Sequence, residues 1–128
     1  MGSTILLISL GAIAGANARY FVGIAAISAL GSAFPFGTVV VNVVGSFIVG
    51  IVLTAIAGSP PHASEWRALV AVGFCGSFTT FSAFSFETLS MARQGQWFAS
   101  LSYVAISLTA CLGATLIGAT IGRTVMQS

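Results

Sequence analysis

GFCGSFTTFS, residues 73–82, is the stretch on which the reading of this chain turns. It lies midway along an apolar segment spanning about 67–91. Two glycines and a Ser/Thr cluster lower helix propensity there, and the hydroxyls offer the backbone alternatives to its own ladder. Inside a bilayer, unwound backbone persists only where protein buries it or where it lines a wet or ion-filled cavity. The same string also reads as a continuous helix whose small residues allow close packing. The residues alone leave both readings open.

The surrounding composition says that this segment crosses a membrane. The chain has 128 residues, 57% hydrophobic and 5% charged. A soluble domain of this size carries roughly a quarter of its residues as charges. Here the charges are Arg19, Arg67, Arg93, Arg123, Glu65 and Glu87, with no Lys and no Asp. A net charge of +2 without a basic patch to hold phosphates is too small to suggest a nucleic-acid partner. Cys75 and Cys111 both lie in apolar stretches and read as small packing residues, not as a disulfide framework or zinc site.

A hydrocarbon core of about 30 Å takes about 20 helical residues. Four segments reach that length, at about 4–30, 36–57, 67–91 and 97–124, and together they make one transmembrane domain over 1–128. The expected fold is an all-α membrane protein with the lipid bilayer as its solvent. Breakers fill the connectors: Gly31 and Pro35, then Pro60-Pro61, then Gly95. Trp66 and Trp97 flank span starts, where amphipathic rings prefer the interface. Ala16-Asn17-Ala18 after an apolar run loosely mimics a leader cleavage site. A basic n-region is missing and the apolar run continues to Leu30, so a retained first span is expected.

Small residues recur at helix-packing spacing: Gly11 and Gly15, Ser46 and Gly50, Gly118 and Gly122. They invite close contact within or between subunits, and a homodimer is expected. Arginines barely orient the chain. Arg67 and Arg123 fall on one side, with Arg93 on the other, joined there by Arg19 if its side chain reaches outward. Copies inserted both ways up would pair as an antiparallel, dual-topology dimer.

No nucleophile–base set, carboxylate pair or phosphate-cradling loop is present, so the chain is not read as an enzyme. The informative residues are polar ones inside apolar spans, which are costly there and mark pathways. Thr38 and Asn42 share a helix face, and Asn42 can offer two amide protons to an anion or bond a neighbouring helix. Phe81 and Phe84 face together; a phenyl ring has a positive edge, although spacing alone fits ordinary packing rings. Tyr103, Ser107, Cys111 and Thr115 recur every four residues as a mildly polar stripe. Arg19 is expected as a structural anchor that snorkels, pairs with Glu87 or donates to carbonyls. Glu87 reads as a pore-end or structural acceptor, and His62 as a solvated loop residue.

These elements, in order, resemble the Fluc/CrcB fluoride channel family. The resemblance rests on Gly15 through Arg19-Tyr20, on Gly37-Thr38 with Val41-Asn42 and Gly45, and on Gly73, Gly76 and Thr79-Thr80-Phe81-Ser82 followed by Phe84-Ser85 and Glu87. It covers essentially the whole chain, and the third-span string is its specific part. It implies a broken third helix and an antiparallel homodimer in the bacterial cytoplasmic (inner) membrane. It implies passive export of fluoride that relieves fluoride toxicity. Asn42 would line the path, Phe81 and Phe84 would turn ring edges to fluoride, Thr38 and Ser107 would extend the polar track, and Tyr103 and Glu87 would sit near one end. A structural sodium ion at the dimer interface would take the backbone carbonyls of Gly76 and Thr79 from both subunits. Two positions depart from the family pattern: Ala83, where Thr is frequent, and Cys111, where a hydroxyl is common.

The competing expectation is a small dual-topology exporter of cationic compounds. Such a carrier needs a mid-membrane carboxylate, and the first span holds only Arg19 as an ionisable residue. A non-transporting assembly subunit is a third possibility.

Overall fold

The fold comes from a computed structural model that describes residues 1–127. Long apolar runs without alternation fold as helices. In chain order these are α1 (Gly2–Leu30), α2 (Phe36–Ala55), α3 (Ala63–Trp66), a π-helical stretch (Arg67–Cys75), α4 (Gly76–Phe78), α5 (Phe81–Arg93) and α6 (Trp97–Gln127). Gly31 ends α1 at φ 79° and returns its N–H to Ile27 O at 2.9 Å. Gly95, at φ 77°, turns the chain between α5 and α6. Both angles lie in the left-handed region that glycine enters without steric cost.

Among the described residues, four helical stretches are long and apolar enough to cross a membrane: Gly2–Leu30, Phe36–Ala55, Ala63–Arg93 and Trp97–Val125. Leu6, Ile13 and Phe21 on α1 and Phe98, Leu112 and Leu116 on α6 are all exposed. Leaving such surface in water costs about 25 cal/mol per Å² of apolar area. Lipid tails or a second apolar surface remove that cost, and the chain is a multi-pass membrane protein.

The interior of one chain is thin; Tyr103, Val41 and Cys75 are its largest fully buried side chains. Packing relies on backbone approach instead. α2 lies on α6, where a Cβ on Gly50 would come 2.5 Å from Thr115 O and one on Gly122 would come 2.5 Å from Ile51 O. α1 lies on the π-helical stretch, where Gly11 and Gly15 meet the backbone of Leu69 and Phe74. Across the same contact a Cβ on Gly73 would sit 2.6 Å from Ile8 O. The glycine pairs seen in the sequence are therefore used within a single chain.

The third span is broken. α4 ends at Phe78, and Thr79 (φ −82°, ψ 159°) and Thr80 (φ −152°, ψ 112°) are extended. The helix restarts at Phe81, capped by Thr80 Oγ1, which accepts from the Ala83 N–H at 3.1 Å. Threonine suits this place because its hydroxyl satisfies one of the donors orphaned at a helix start. Beyond the break, the substantial neighbour of α5 among the described residues is α6 alone. Phe81, Phe86 and Leu89 are exposed on the single chain.

Candidate ion pathway

Two extended residues release groups that a continuous helix would have paired. In an unbroken helix Thr80 N–H would bond Gly76 O. Here it donates to Asn42 Oδ1 at 2.7 Å, and Thr80 O accepts from Asn42 Nδ2 at 3.2 Å. One side-chain amide thus closes both backbone groups of a single residue and leaves its second N–H proton over. Thr79 keeps its N–H on Cys75 O at 3.0 Å, and its Oγ1 donates to the same oxygen at 2.8 Å. Thr79 O accepts from Arg19 Nη1 at 3.4 Å. Gly45, three residues after Asn42 on α2, supplies the notch for the Thr79 methyl group; any Cβ there would overlap Thr79 Cγ2.

A second node lies further along α5. Glu87 Oε1 accepts from Thr38 Oγ1 at 2.8 Å, and Oε2 accepts from Tyr103 OH at 2.6 Å. The carboxylate therefore ties α2, α5 and α6 together. Tyr103 is fully buried, and its ring meets Phe34 edge-on at 5.5 Å and Phe84 at 5.1 Å. Phe84 in turn lies 5.5 Å from Phe81, tilted by 46°. Phe81, Phe84 and Tyr103 form an aromatic row running from the break to the carboxylate.

Between α2, α5 and α6 this row borders an open groove of ≈ 340 Å³, whose wall includes Asn42, Thr80, Phe81, Phe84, Ser107 and Cys111. Thr38 and Glu87 line a second cavity of ≈ 530 Å³ together with Ser90, Gln94 and Gln96. Ser107 is 6% exposed, and its Oγ has no hydrogen-bond partner among the described residues. Its neighbours on α6 behave differently. Thr109, Thr115 and Thr120 return their hydroxyls to the carbonyls of Ala105, Cys111 and Leu116. A buried polar group left unpaired costs about 1–3 kcal/mol. Ser107 lines the groove as a residue, while its hydroxyl oxygen is buried in the wall.

The structure thus brings Asn42, Phe81, Phe84 and Ser107 to one groove, and Thr38, Glu87 and Tyr103 to one node, with Phe84 touching both clusters. Arg19 reaches the break through Thr79 O rather than Glu87, whose two oxygens are engaged by Thr38 and Tyr103. Gly76 stands outside the groove; a Cβ there would find Ala71 O at 3.9 Å and nothing nearer. Thr80 was missed by sequence reasoning as the residue that Asn42 holds. Its signal was a Thr placed just before the apolar restart, the position of a helix cap. Phe34, stacked edge-on against Tyr103, carried no signal, because its role depends on a loop turning back over the bundle.

Residues 6–119 match the family described as CrcB-like protein, Camphor Resistance (CrcB). A protein of Shewanella sp. (strain W3-18-1) named fluoride-specific ion channel FluC is 43% identical over 117 residues, covering 91% of this chain and 93% of that one. A protein of the same name from Shewanella denitrificans is 45% identical over 117 residues with the same coverage. With the family match extending over nearly all of the described helices, the chain belongs to the CrcB family.

Proposed function

We propose that this protein is a passive fluoride-selective channel that lets the ion leave the cytoplasm and so relieves fluoride toxicity. The observation that carries this reading is a groove on whose wall Asn42, Phe81, Phe84 and Ser107 meet, Ser107 with a buried hydroxyl that has no partner among the described residues. The relatives named as fluoride channels add to it.

Fluoride is small and strongly hydrated, so a narrow path must replace much of its water. Ser107 Oγ and the remaining Asn42 amide proton are donors fixed in the wall. The positive edges of Phe81 and Phe84 attract an anion without a full charge to hold it fast. At the far end both hydroxyls, of Thr38 and Tyr103, are occupied by the Glu87 carboxylate. Fluoride arriving there must displace a carboxylate oxygen to gain either donor. Larger halides are refused by width and cations by donor-lined walls.

The working unit is an antiparallel, dual-topology homodimer in the bacterial inner membrane. Supporting this are the exposed apolar face of α5 and the near-symmetric distribution of arginines. A structural sodium ion fits the break chemically. Gly76 O loses its usual helical donor when Thr80 N–H turns to Asn42, and carbonyl oxygens are the ligands a hard cation takes. Thr79 O would be the second ligand, shared with the Arg19 guanidinium, and a second copy would supply the same pair. When bound, the ion would offset repulsion among nearby anions.

The test is efflux from liposomes loaded with fluoride or chloride. Fluoride should leave and chloride should stay; equal rates remove the selectivity, and retention of both removes the channel.

A further inference from the structure

Among the polar groups lining the groove, Cys111 is chemically unlike the others. Asn42, Ser46, Thr79, Thr80, Ser107 and Thr115 offer amides and hydroxyls, which are hard and unreactive, whereas Cys111 offers sulfur. Soft thiolates select soft metals, and a cysteine can react only where a reagent reaches its sulfur. Cys111 is partly exposed, lines the groove, and is a free thiol. Cys75, the other cysteine, is 1% exposed and does not reach the groove. One helical turn before Cys111, Ser107 lines the same stretch of wall, and its buried hydroxyl has no partner among the described residues. A bulky atom bonded to Cys111 would therefore stand where the transported ion must pass.

We propose that Cys111 is a covalent modification site within the groove, where a small organomercury electrophile bonds the sulfur and closes the path. The closing effect rests on the fluoride-channel reading; the modification itself does not. With methylmercury hydroxide, the S–H bond of Cys111 and the Hg–O bond break and an S–Hg bond forms. The thiol proton leaves with the hydroxide as water, and no electrons are transferred. The neutral reagent meets no charge barrier in a donor-lined path.

The experiment reconstitutes the full chain in chloride-free vesicles and treats them with methylmercury hydroxide. Adducts are read by intact mass and peptide mapping, and fluoride efflux is read before and after treatment. The expected result is one adduct per chain, at Cys111, with loss of efflux that excess dithiothreitol restores. Cys111→Ser, compared with its own untreated flux, should take no adduct and lose no flux. No adduct at Cys111, an adduct confined to Cys75, or full modification of Cys111 with unchanged efflux would each overturn the proposal. If untreated vesicles retain fluoride, the channel reading fails instead, and the adduct map still decides whether Cys111 is the site.

Discussion

Asn42 grips Thr80 by both ends of its backbone, accepting from its N–H at 2.7 Å and donating to its carbonyl at 3.2 Å, across 38 residues of sequence. The break in the third span is thus held by a side chain of the second. Asn42→Asp keeps the acceptor and loses the donor, leaving Thr80 O unpaired and setting a negative charge on the groove. Fluoride efflux should fall severely, and thermal unfolding in detergent should report a loss of about 1–3 kcal/mol. Wild-type flux in this variant would take Asn42 out of the path.

Ser107 should separate stability from transport. Ser107→Ala removes a buried hydroxyl that has no partner among the described residues, so unfolding should be unchanged or shifted upward by about 1–3 kcal/mol. Efflux should fall in the same variant. A destabilised protein with normal flux would mean that the hydroxyl serves the fold.

The seat of Thr79 on Gly45 calls for a double substitution. Gly45→Ala places a methyl group into Thr79 Cγ2, and overpacking of this kind costs about 1–3 kcal/mol. Thr79→Ser removes that methyl and should recover most of the loss in the pair. Additive effects in the double-mutant cycle would dissociate the two residues.

Phe81 is 76% exposed in one chain, so Phe81→Ile should hardly alter the stability of the helix that bears it. Efflux should nonetheless slow, because an aliphatic side chain has no positive edge to present. Unchanged efflux would leave Phe81 as a surface for packing only.

Much of this arrangement was legible in the residues because it depends on local chemistry. Four apolar runs and their breakers gave the helices, and the Gly/Thr cluster in 73–82 marked where the third could open. Four-residue spacing put Ser107, Cys111 and Thr115 on one face, and all three line the groove. Spacing gives a face, however, and not the partner on the other side of it. That Asn42 would commit itself to the backbone of Thr80, and that Thr38 and Tyr103 would share Glu87, are outcomes of packing between distant segments. The π-helical stretch was illegible for the same reason. Gly73 and the valines of RALVAVGFC weaken a helix without saying that it widens to a π-helix, and its distinguishing feature is close contact with α1 at Gly11 and Gly15.

That stretch also works as a counter. It lies between α3 and the threonines of the break, and every residue in it sets the rotation of the backbone downstream. Removing one residue from 67–75 would turn that backbone by roughly a quarter of a turn, swinging Thr80 off the Asn42 side of the bundle. The segment can exchange letters of like size, but it cannot change its number of letters. Insertions and deletions in this protein belong in the connectors at 31–35, 58–62 and 94–96, where phase is not transmitted.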